Sequence, residues 1–190
     1  KGLLPVLGED AGPWRKEDRA FFVYGNAEAP PGVFRLPAPG PRDLPAECLR
    51  WEVAVAAAAA LIGVDPFDEP DVAESKEMTR HVLSGKLAPS AASGDLESFL
   101  LPPKPGEFAA ILAFLDPSPQ TDQALEVLRK ALRKRLGLPV TLGYGPRYLH
   151  STGQYHKAGP NRGRFLLLTA ESPSKEGKDL PIPGETYTMA

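Results

Sequence analysis

Hydrophobic and polar positions follow one another along the chain in blocks that predict alternating strands and helices. Short runs rich in β-branched, aromatic and leucine side chains predict strands at residues 20–24, 33–36, 139–144 and 164–169. The longer apolar run over residues 108–115 is typical of a strand that is buried on both faces. The pattern therefore predicts five strands, with about 30 residues in total.

Three segments between these runs have the composition or the periodicity of helices. Residues 46–63 are apolar nearly all round, which predicts a helix sandwiched in the interior of the protein. Residues 70–85 open with a proline among acidic residues, as helices often do. Residues 121–136 carry leucines at helical spacing, and residues 86–105 predict a loop with a short helical piece near residues 95–100.

The order of these elements predicts the α/β class. Alternating strands and helices are typical of a mostly parallel sheet that is flanked by helices. The last two strands are joined by a connection that looks short for a parallel crossover, which leaves an antiparallel edge open. We expect a single domain over residues 1–170 and a loosely ordered tail over residues 171–190.

Composition narrows the class of protein. The chain has 190 residues, enough for one domain or for one and part of another, and its net charge of −2 offers no electrostatic footprint for nucleic acid. Its single cysteine, Cys48, favours a reducing compartment and is expected to be a small core residue. The apolar run over residues 53–64 is too short to cross a membrane. We expect a cytoplasmic protein without nucleic-acid or membrane partners, cut from a longer polypeptide.

The first concentration of chemistry joins the first two predicted helices. It reads Asp65-Pro-Phe-Asp-Glu-Pro-Asp-Val-Ala-Glu-Ser-Lys76. Two prolines and several acids form a turn, and Lys76 follows on the first turns of the second helix. The later histidine of that helix, His81, is expected to lie on the surface or to cap the helix.

The second concentration lies between the last two strands, in residues 145–161. A long loop at strand ends is where α/β proteins bind ligands. Hydroxyls and backbone N–H groups around Gly153 would suit a phosphate, and either His150 or His156 would suit proton transfer near neutral pH. The alternative is a loop with hydroxyl-capped turns and solvated histidines. A zinc site is disfavoured because no pair of Cys or Asp ligands is near.

These blocks resemble the phosphoglucose isomerase family. That family has Asn-Pro-Phe-Asp-Gln-Pro followed by a lysine, and the later block Gly-Pro-Arg-Tyr-Leu-His-Ser-Thr-Gly-Gln-Tyr-His is similar to the variant in fused transaldolase/glucose-6-phosphate isomerase proteins. The resemblance covers nearly the whole chain. It implies a sugar isomerase (SIS) type of α/β sandwich that interconverts glucose 6-phosphate and fructose 6-phosphate through a cis-enediol, without a metal or organic cofactor.

The resemblance also implies roles for individual residues. Lys76 matches the family lysine that supports ring opening and stabilises developing negative charge. His150 and His156 are both candidates for the ring-opening histidine. Glu69 stands where most members have glutamine, which replaces an amide donor by an acceptor. The implied substrate-binding residues are Ser151, Thr152, Gly153, Gln154, Lys157 and Glu69.

One family motif has no counterpart in this sequence. The proton-transferring glutamate lies in Glu-Ser-Thr/Asn-Gly-Lys, which in the fused relatives would fall just before Lys1. The first SIS domain is missing as well. We therefore expect the chain alone to be inactive, and its partners to be the sugar phosphate, an upstream SIS domain and, in a fused parent, a transaldolase domain. The alternative is a non-catalytic domain that binds a sugar phosphate or another protein.

Overall fold

The computed structural model describes residues 4–8, 20–29, 31–68, 70–88 and 94–170. The chain divides into two compact units, residues 1–68 and 69–190, and each is described by itself. The single domain expected over residues 1–170 stays a prediction, because a division by contacts does not decide whether two units fold together. The expected tail over residues 171–190 lies outside the described residues.

The first unit contains a two-stranded parallel ribbon and one long helix. Strand β1 (Phe22–Tyr24) pairs with strand β2 (Phe34–Leu36), and helix α1 spans Leu44–Ile62. The helix ends at Gly63, whose φ of 67° lies in the left-handed region that glycine adopts at little cost. Both strands and the helix are therefore confirmed, with ends shifted by up to two residues.

The predicted burial of α1 is wrong. Ala59 is the one residue of the helix that is buried, whereas Leu61 is 88% exposed and Val53 is 60% exposed. Cys48, expected in the core, is exposed as well. The ribbon contacts the helix through Trp51, whose Nε1 donates to the Tyr24 hydroxyl at 2.6 Å. A ribbon of three-residue strands is too narrow to cover a helix of 19 residues on all sides.

The second unit holds the remaining elements. Its helices and strands are α2 (Pro70–Leu83), α3 (Leu96–Phe99), β3 (Phe108–Phe114), α4 (Pro119–Leu136), β4 (Val140–Tyr144), α5 (Gly153–Ala158) and β5 (Gly163–Thr169). All but α5 are predicted by the sequence, and the short helical piece is confirmed as α3. Among the described helices of both units, none is long and apolar enough to cross a membrane.

A three-stranded parallel sheet in the order β4-β3-β5 organises the second unit, so the mostly parallel α/β class is confirmed. The antiparallel edge is not found among the described strands. Strands β4 and β5 are not neighbours, because they lie on opposite sides of β3. Residues 145–162 therefore cross over β3, and such a crossover needs only about a dozen residues.

The core lies between one face of this sheet and α4. Ile111 and Val140 are fully buried, and Leu125, Leu132 and Leu136 pack against them from the helix, as the leucine spacing predicts. Four consecutive residues from Phe108 are buried, which confirms a strand covered on both faces over that stretch. Helix α4 starts two residues earlier than predicted because the Ser118 hydroxyl accepts from the Thr121 N–H, and Pro119 suits a first helical position.

A buried arginine covers the outer side of β4. Arg129 is 4% exposed, and its Nε and Nη2 donate to the two carboxylate oxygens of Glu126 at 2.7 and 2.8 Å. Its Nη1 reaches the carbonyl oxygen of Val140 at 3.5 Å. The sequence places Arg129 in a basic cluster near the end of α4, and nothing in that pattern distinguishes this buried member from its neighbours.

Candidate functional site

The connection from β4 to β5 runs across one face of the sheet. It contains a 3₁₀ turn (Arg147–His150) and helix α5, neither of which the sequence predicts. Gly143, near the end of β4, lets the returning chain approach closely. A Cβ atom at that position would lie 2.6 Å from the Cβ of Tyr148, closer than real contacts allow. The predicted site loop is therefore a folded layer that packs against the sheet.

His156 lies among three aromatic rings. Its ring centroid is 5.1 Å from that of Phe165, 5.8 Å from that of Tyr148 and 6.2 Å from that of Phe108. Both ring nitrogens are buried and have no hydrogen-bond partner in the described ranges. Burial lowers the pKa of His156 below its ordinary value of 6.5, so the imidazole is neutral at pH 7.

A small cavity opens beside this histidine. Its volume is about 160 Å³, and the residues that line it include the aromatic Phe108, Tyr155, His156 and Phe165 and the polar Lys157 and Asn161. Ligand pockets usually measure roughly 300–1,000 Å³. The cavity is therefore smaller than a usual ligand pocket.

The expected phosphate-binding hydroxyls are engaged within their own turn. Ser151 Oγ donates to the carbonyl oxygen of Tyr148 at 3.1 Å, and Thr152 Oγ1 donates to the same oxygen at 3.2 Å. Gly153, which follows them, is buried. This is the hydroxyl-capped turn of the alternative interpretation, since a hydroxyl hydrogen that is donated to a carbonyl is not available to a phosphate.

Helix α5 packs directly against α2. Gln154 Nε2 donates to Asp71 Oδ2 at 2.6 Å, and Gln154 Oε1 is buried without a partner among the described residues. The contact joins two sequence blocks that are far apart in the chain. Of the expected substrate-binding residues, Gln154 is therefore the one that holds the two helices together.

Lys76 lies on the helix that makes this contact, but on another side of it. Among the residues of the first turns of α2 whose burial is described, Asp71 and Ser75 are half-buried, whereas Lys76 is exposed. Successive helical residues are about 100° apart around the axis, so Lys76 lies about 140° from Asp71 and projects away from the contact with α5. The structure brings the helix of Lys76 to α5, and no hydrogen bond joins its amine to a described residue.

The remaining candidates differ in their surroundings. His150 is exposed at the end of the 3₁₀ turn, and Lys157 is exposed at the cavity. Glu69 lies outside the described residues. His81 Nε2 lies 3.2 Å from Glu77 Oε1 on its own helix, as expected of a surface residue.

The aromatic residues around His156 are the part of the site that the sequence does not predict. Phe108 and Phe165 lie in runs that indicate strands, and Tyr148 lies in a segment that indicates a loop. None of these patterns shows that the three rings meet. In the described part of the chain, no three His, Cys, Asp or Glu side chains are arranged to hold a metal ion.

Known proteins were compared with the chain at three levels. Neither the models of protein families, nor the curated proteins, nor the solved structures give a match.

Proposed function

We propose that this chain supplies the C-terminal part of a glucose-6-phosphate isomerase. The observation that carries the proposal is the packing of α2 on α5, sealed by the hydrogen bond from Gln154 to Asp71. It joins the two sequence blocks that resemble this family, and a shared site requires that they meet. The proposal includes a cytoplasmic location, which the single cysteine favours.

We assign the ring-opening proton transfer to His156 and not to His150. An orphaned polar atom in a protein interior costs roughly 1–3 kcal/mol, and a bound hydroxyl would offset that cost at the ring of His156. Its lowered pKa also keeps the imidazole neutral and able to accept a proton at pH 7. His150 is exposed and lacks such surroundings.

Lys76 takes the role of the cation. An ammonium group beside the substrate stabilises the negative charge that develops on the oxygens of a cis-enediol intermediate. Its exposure on α2 leaves it free to meet a substrate that extends beyond the small cavity.

The proposal assigns the remaining chemistry to protein outside this chain. Moving a proton between C1 and C2 needs a base within hydrogen-bond reach, about 3 Å, of both carbons. No carboxylate lines the cavity in the described part of the chain. A cavity of about 160 Å³ also leaves part of the sugar phosphate to be enclosed by other residues. We therefore expect the chain alone to show no turnover.

The test compares the two histidines in the parent polypeptide that includes the upstream residues. Conversion of fructose 6-phosphate is followed by oxidation of the glucose 6-phosphate that forms. We expect His156→Gln to reduce kcat by roughly 10²–10⁴-fold, and His150→Gln to leave it within about threefold. Equal losses in both variants, or a loss confined to His150→Gln, would refute the assignment.

Lys76 has its own matched control. Lys76→Ala is expected to reduce kcat/KM by roughly a hundredfold or more, since it removes a charge that stabilises the intermediate. Lys134→Ala, an exposed lysine of α4, is expected to change nothing. Full activity of Lys76→Ala would remove this residue from the mechanism.

A second candidate is a non-catalytic domain that binds a sugar phosphate. The cavity favours it in one respect, because its described lining carries a lysine and an amide but no carboxylate. Calorimetric titration of the parent polypeptide with fructose 6-phosphate separates the two candidates. Binding without turnover supports the second candidate, and turnover excludes it.

A further inference from the structure

The 3₁₀ turn and helix α5 form a covering layer, residues 147–159, that is separate from the core of the second unit. Side chains alternate between the two faces of a strand, so the register of the sheet places Phe108 and Phe165 on the face under this layer. Ala109 and Ile111 point to the opposite face, where α4 packs. The core between the sheet and α4 includes no residue of the covering layer, which is described throughout. The layer is therefore able to leave the sheet without opening that core.

Three buried polar atoms of the covering layer have no hydrogen-bond partner among the described residues. They are Oε1 of Gln154 and the two ring nitrogens of His156. Buried polar groups are normally paired, because a group that is removed from water without a partner costs free energy. Water would satisfy all three atoms if the layer lifted. The closed arrangement therefore carries a cost that opening removes.

One side-chain hydrogen bond ties the covering layer to another helix or strand in the described part of the chain. Gln154 Nε2 donates it to Asp71 Oδ2 of α2 at 2.6 Å. The other contacts include ring packing on the sheet, since the ring centroid of His156 lies 5.1 Å from that of Phe165 and 6.2 Å from that of Phe108. His156 is therefore part of what holds the layer on the sheet.

The sheet and the 3₁₀ turn present no negative charge to His156. Strands β3 and β5 present Phe108 and Phe165, whose rings are uncharged. The turn presents Tyr148, and burial raises the pKa of its phenol, which therefore stays neutral. On α5 itself, Lys157 is exposed and would repel a positively charged ring.

Helix α2 contributes a carboxylate, but on the far side of α5. Asp71 bonds to Gln154, which lies about 200° from His156 around the axis of α5. Tyr155 directs its ring to Phe108, with the two centroids 5.5 Å apart. Burial alone lowers the pKa of His156, in agreement with these surroundings. A protonated ring needs an acceptor for each of its two N–H groups, so the closed layer does not accommodate it.

We propose that the covering layer is an acid-sensitive lid. When His156 takes up a proton from solvent, residues 147–159 lift from the sheet, whereas the sheet and α4 stay folded. The movement hydrates the imidazolium, uncovers the rings of Phe108 and Phe165, and gives solutes access to both nitrogens of the histidine. Such a lid controls access to the histidine of the proposed site whether or not the chain acts on a sugar phosphate.

Hydrogen exchange of the backbone amides in the 190-residue chain tests the lid. Protection factors, corrected for the intrinsic effect of pH on exchange, are measured at pH 7.5 and pH 5.5. We expect the protection of residues 147–159 to fall roughly five- to tenfold in acid, because one proton binds with the ordinary pKa of 6.5 in the open layer and with a lower pKa in the closed layer. Unchanged protection of the layer overturns the proposal.

A comparison with β3 distinguishes a lid from global unfolding. Local opening exposes little surface, so exchange in residues 147–159 should be faster than in β3 at both pH values and should respond little to low concentrations of urea. Exchange in β3 requires the sheet to open and should rise with urea. Equal protection and equal urea dependence in the two segments would mean that the layer opens only when the whole unit unfolds, and would overturn the proposal.

Two matched variants identify the group that responds to acid. His156→Phe keeps an aromatic ring in the layer and is expected to remove the fall in protection between pH 7.5 and pH 5.5. His150→Phe is the control, since His150 is exposed, and it is expected to keep the fall. A fall that persists in His156→Phe, or that disappears in His150→Phe, overturns the assignment. The comparison of the layer with β3 in the wild-type chain does not depend on either variant.

Discussion

Arg164 joins β5 to the segment that precedes β3 through hydrogen bonds. Its replacement tests how much these bonds stabilise the second unit. Its Nε and Nη2 donate to Glu107 Oε2 at 3.1 and 2.7 Å. The other bonds run to three backbone carbonyls at the end of α3 and just after it, at 3.0, 2.5 and 3.1 Å (Phe99, Leu101 and Pro102). The side chains of Arg164 and Glu107 are each 15% exposed, so water screens the pair only in part.

We expect Arg164→Leu to lower the free energy of unfolding by about 3 kcal/mol. A hydrogen bond to a charged group contributes roughly 1.5–3 kcal/mol, and removing one partner of a buried pair costs roughly 3–5 kcal/mol. Because the two side chains are partly exposed to water, we expect a loss near the lower end of the range for a buried pair. For a chain of this size the loss corresponds to a fall in Tm of roughly 6–12 °C. Arg135→Leu, an exposed arginine of α4, is the control and is expected to lie within about 0.5 kcal/mol of wild type.

The same pair makes stability depend on pH in a defined direction. Burial raises the pKa of Glu107, but the hydrogen bond from the Lys104 N–H and the nearby Arg164 outweigh it, so the pKa is lowered overall. The stabilisation is therefore complete above the unfolded pKa of about 4.3 and is lost as pH falls through the folded value. Urea denaturation at pH 7 and pH 3, followed by circular dichroism, measures both the loss of stability in Arg164→Leu and the dependence of that loss on pH. If Arg164→Leu were as stable as its control at pH 7, or if its deficit did not shrink in acid, the reasoning would fail.

Two further predictions concern the layer that covers the sheet. His156→Phe is expected to stabilise the chain by about 1 kcal/mol in urea denaturation at pH 7, because it removes two buried nitrogens without partners. Since the pKa of His156 is lowered, wild type should lose stability as pH falls below about 6.5 towards the folded value, and the variant should not share that loss. A flat difference across this range would contradict the assigned burial. Gly143→Ala is expected to cost about 1–3 kcal/mol in the same assay, because its Cβ would collide with Tyr148, and a cost below about 0.5 kcal/mol would contradict that contact.

The helices and strands are predictable from the sequence because their signals are local. Pro70 at the start of α2 and the glycines that end α1 and α4 act through their own backbone angles. The apolar run of β3 and the leucine spacing of α4 depend only on neighbouring residues. Helix α5 is missed because six mostly polar residues carry no such periodicity.

Burial and topology are less predictable because both depend on residues far away in the chain. The apolar composition of α1 allows the helix to be buried, but it does not determine whether other elements pack against the helix. Most of the helix is exposed. The distance in sequence between β4 and β5 suggests neighbours. Their real arrangement is decided by β3, which takes the place between them.

The candidate site shows the same division. His150 and His156 are equivalent in the sequence, since both are histidines in one polar loop. Only the tertiary structure distinguishes them, because three aromatic residues from different elements surround His156. These residues are Phe108, Tyr148 and Phe165. The helix that carries Lys76 is likewise brought to Gln154 only by the packing of α2 on α5, through the bond to Asp71.

The sequence by itself determined the α/β class, the bounds of nearly every element to within two residues and the two blocks in which the chemistry concentrates. The tertiary structure decided that these blocks meet and that one histidine is enclosed while the other is exposed. The physical reason is that backbone conformation responds to local sequence, whereas burial, pKa and unpaired hydrogen-bonding groups are set by whichever distant residues fold against a site.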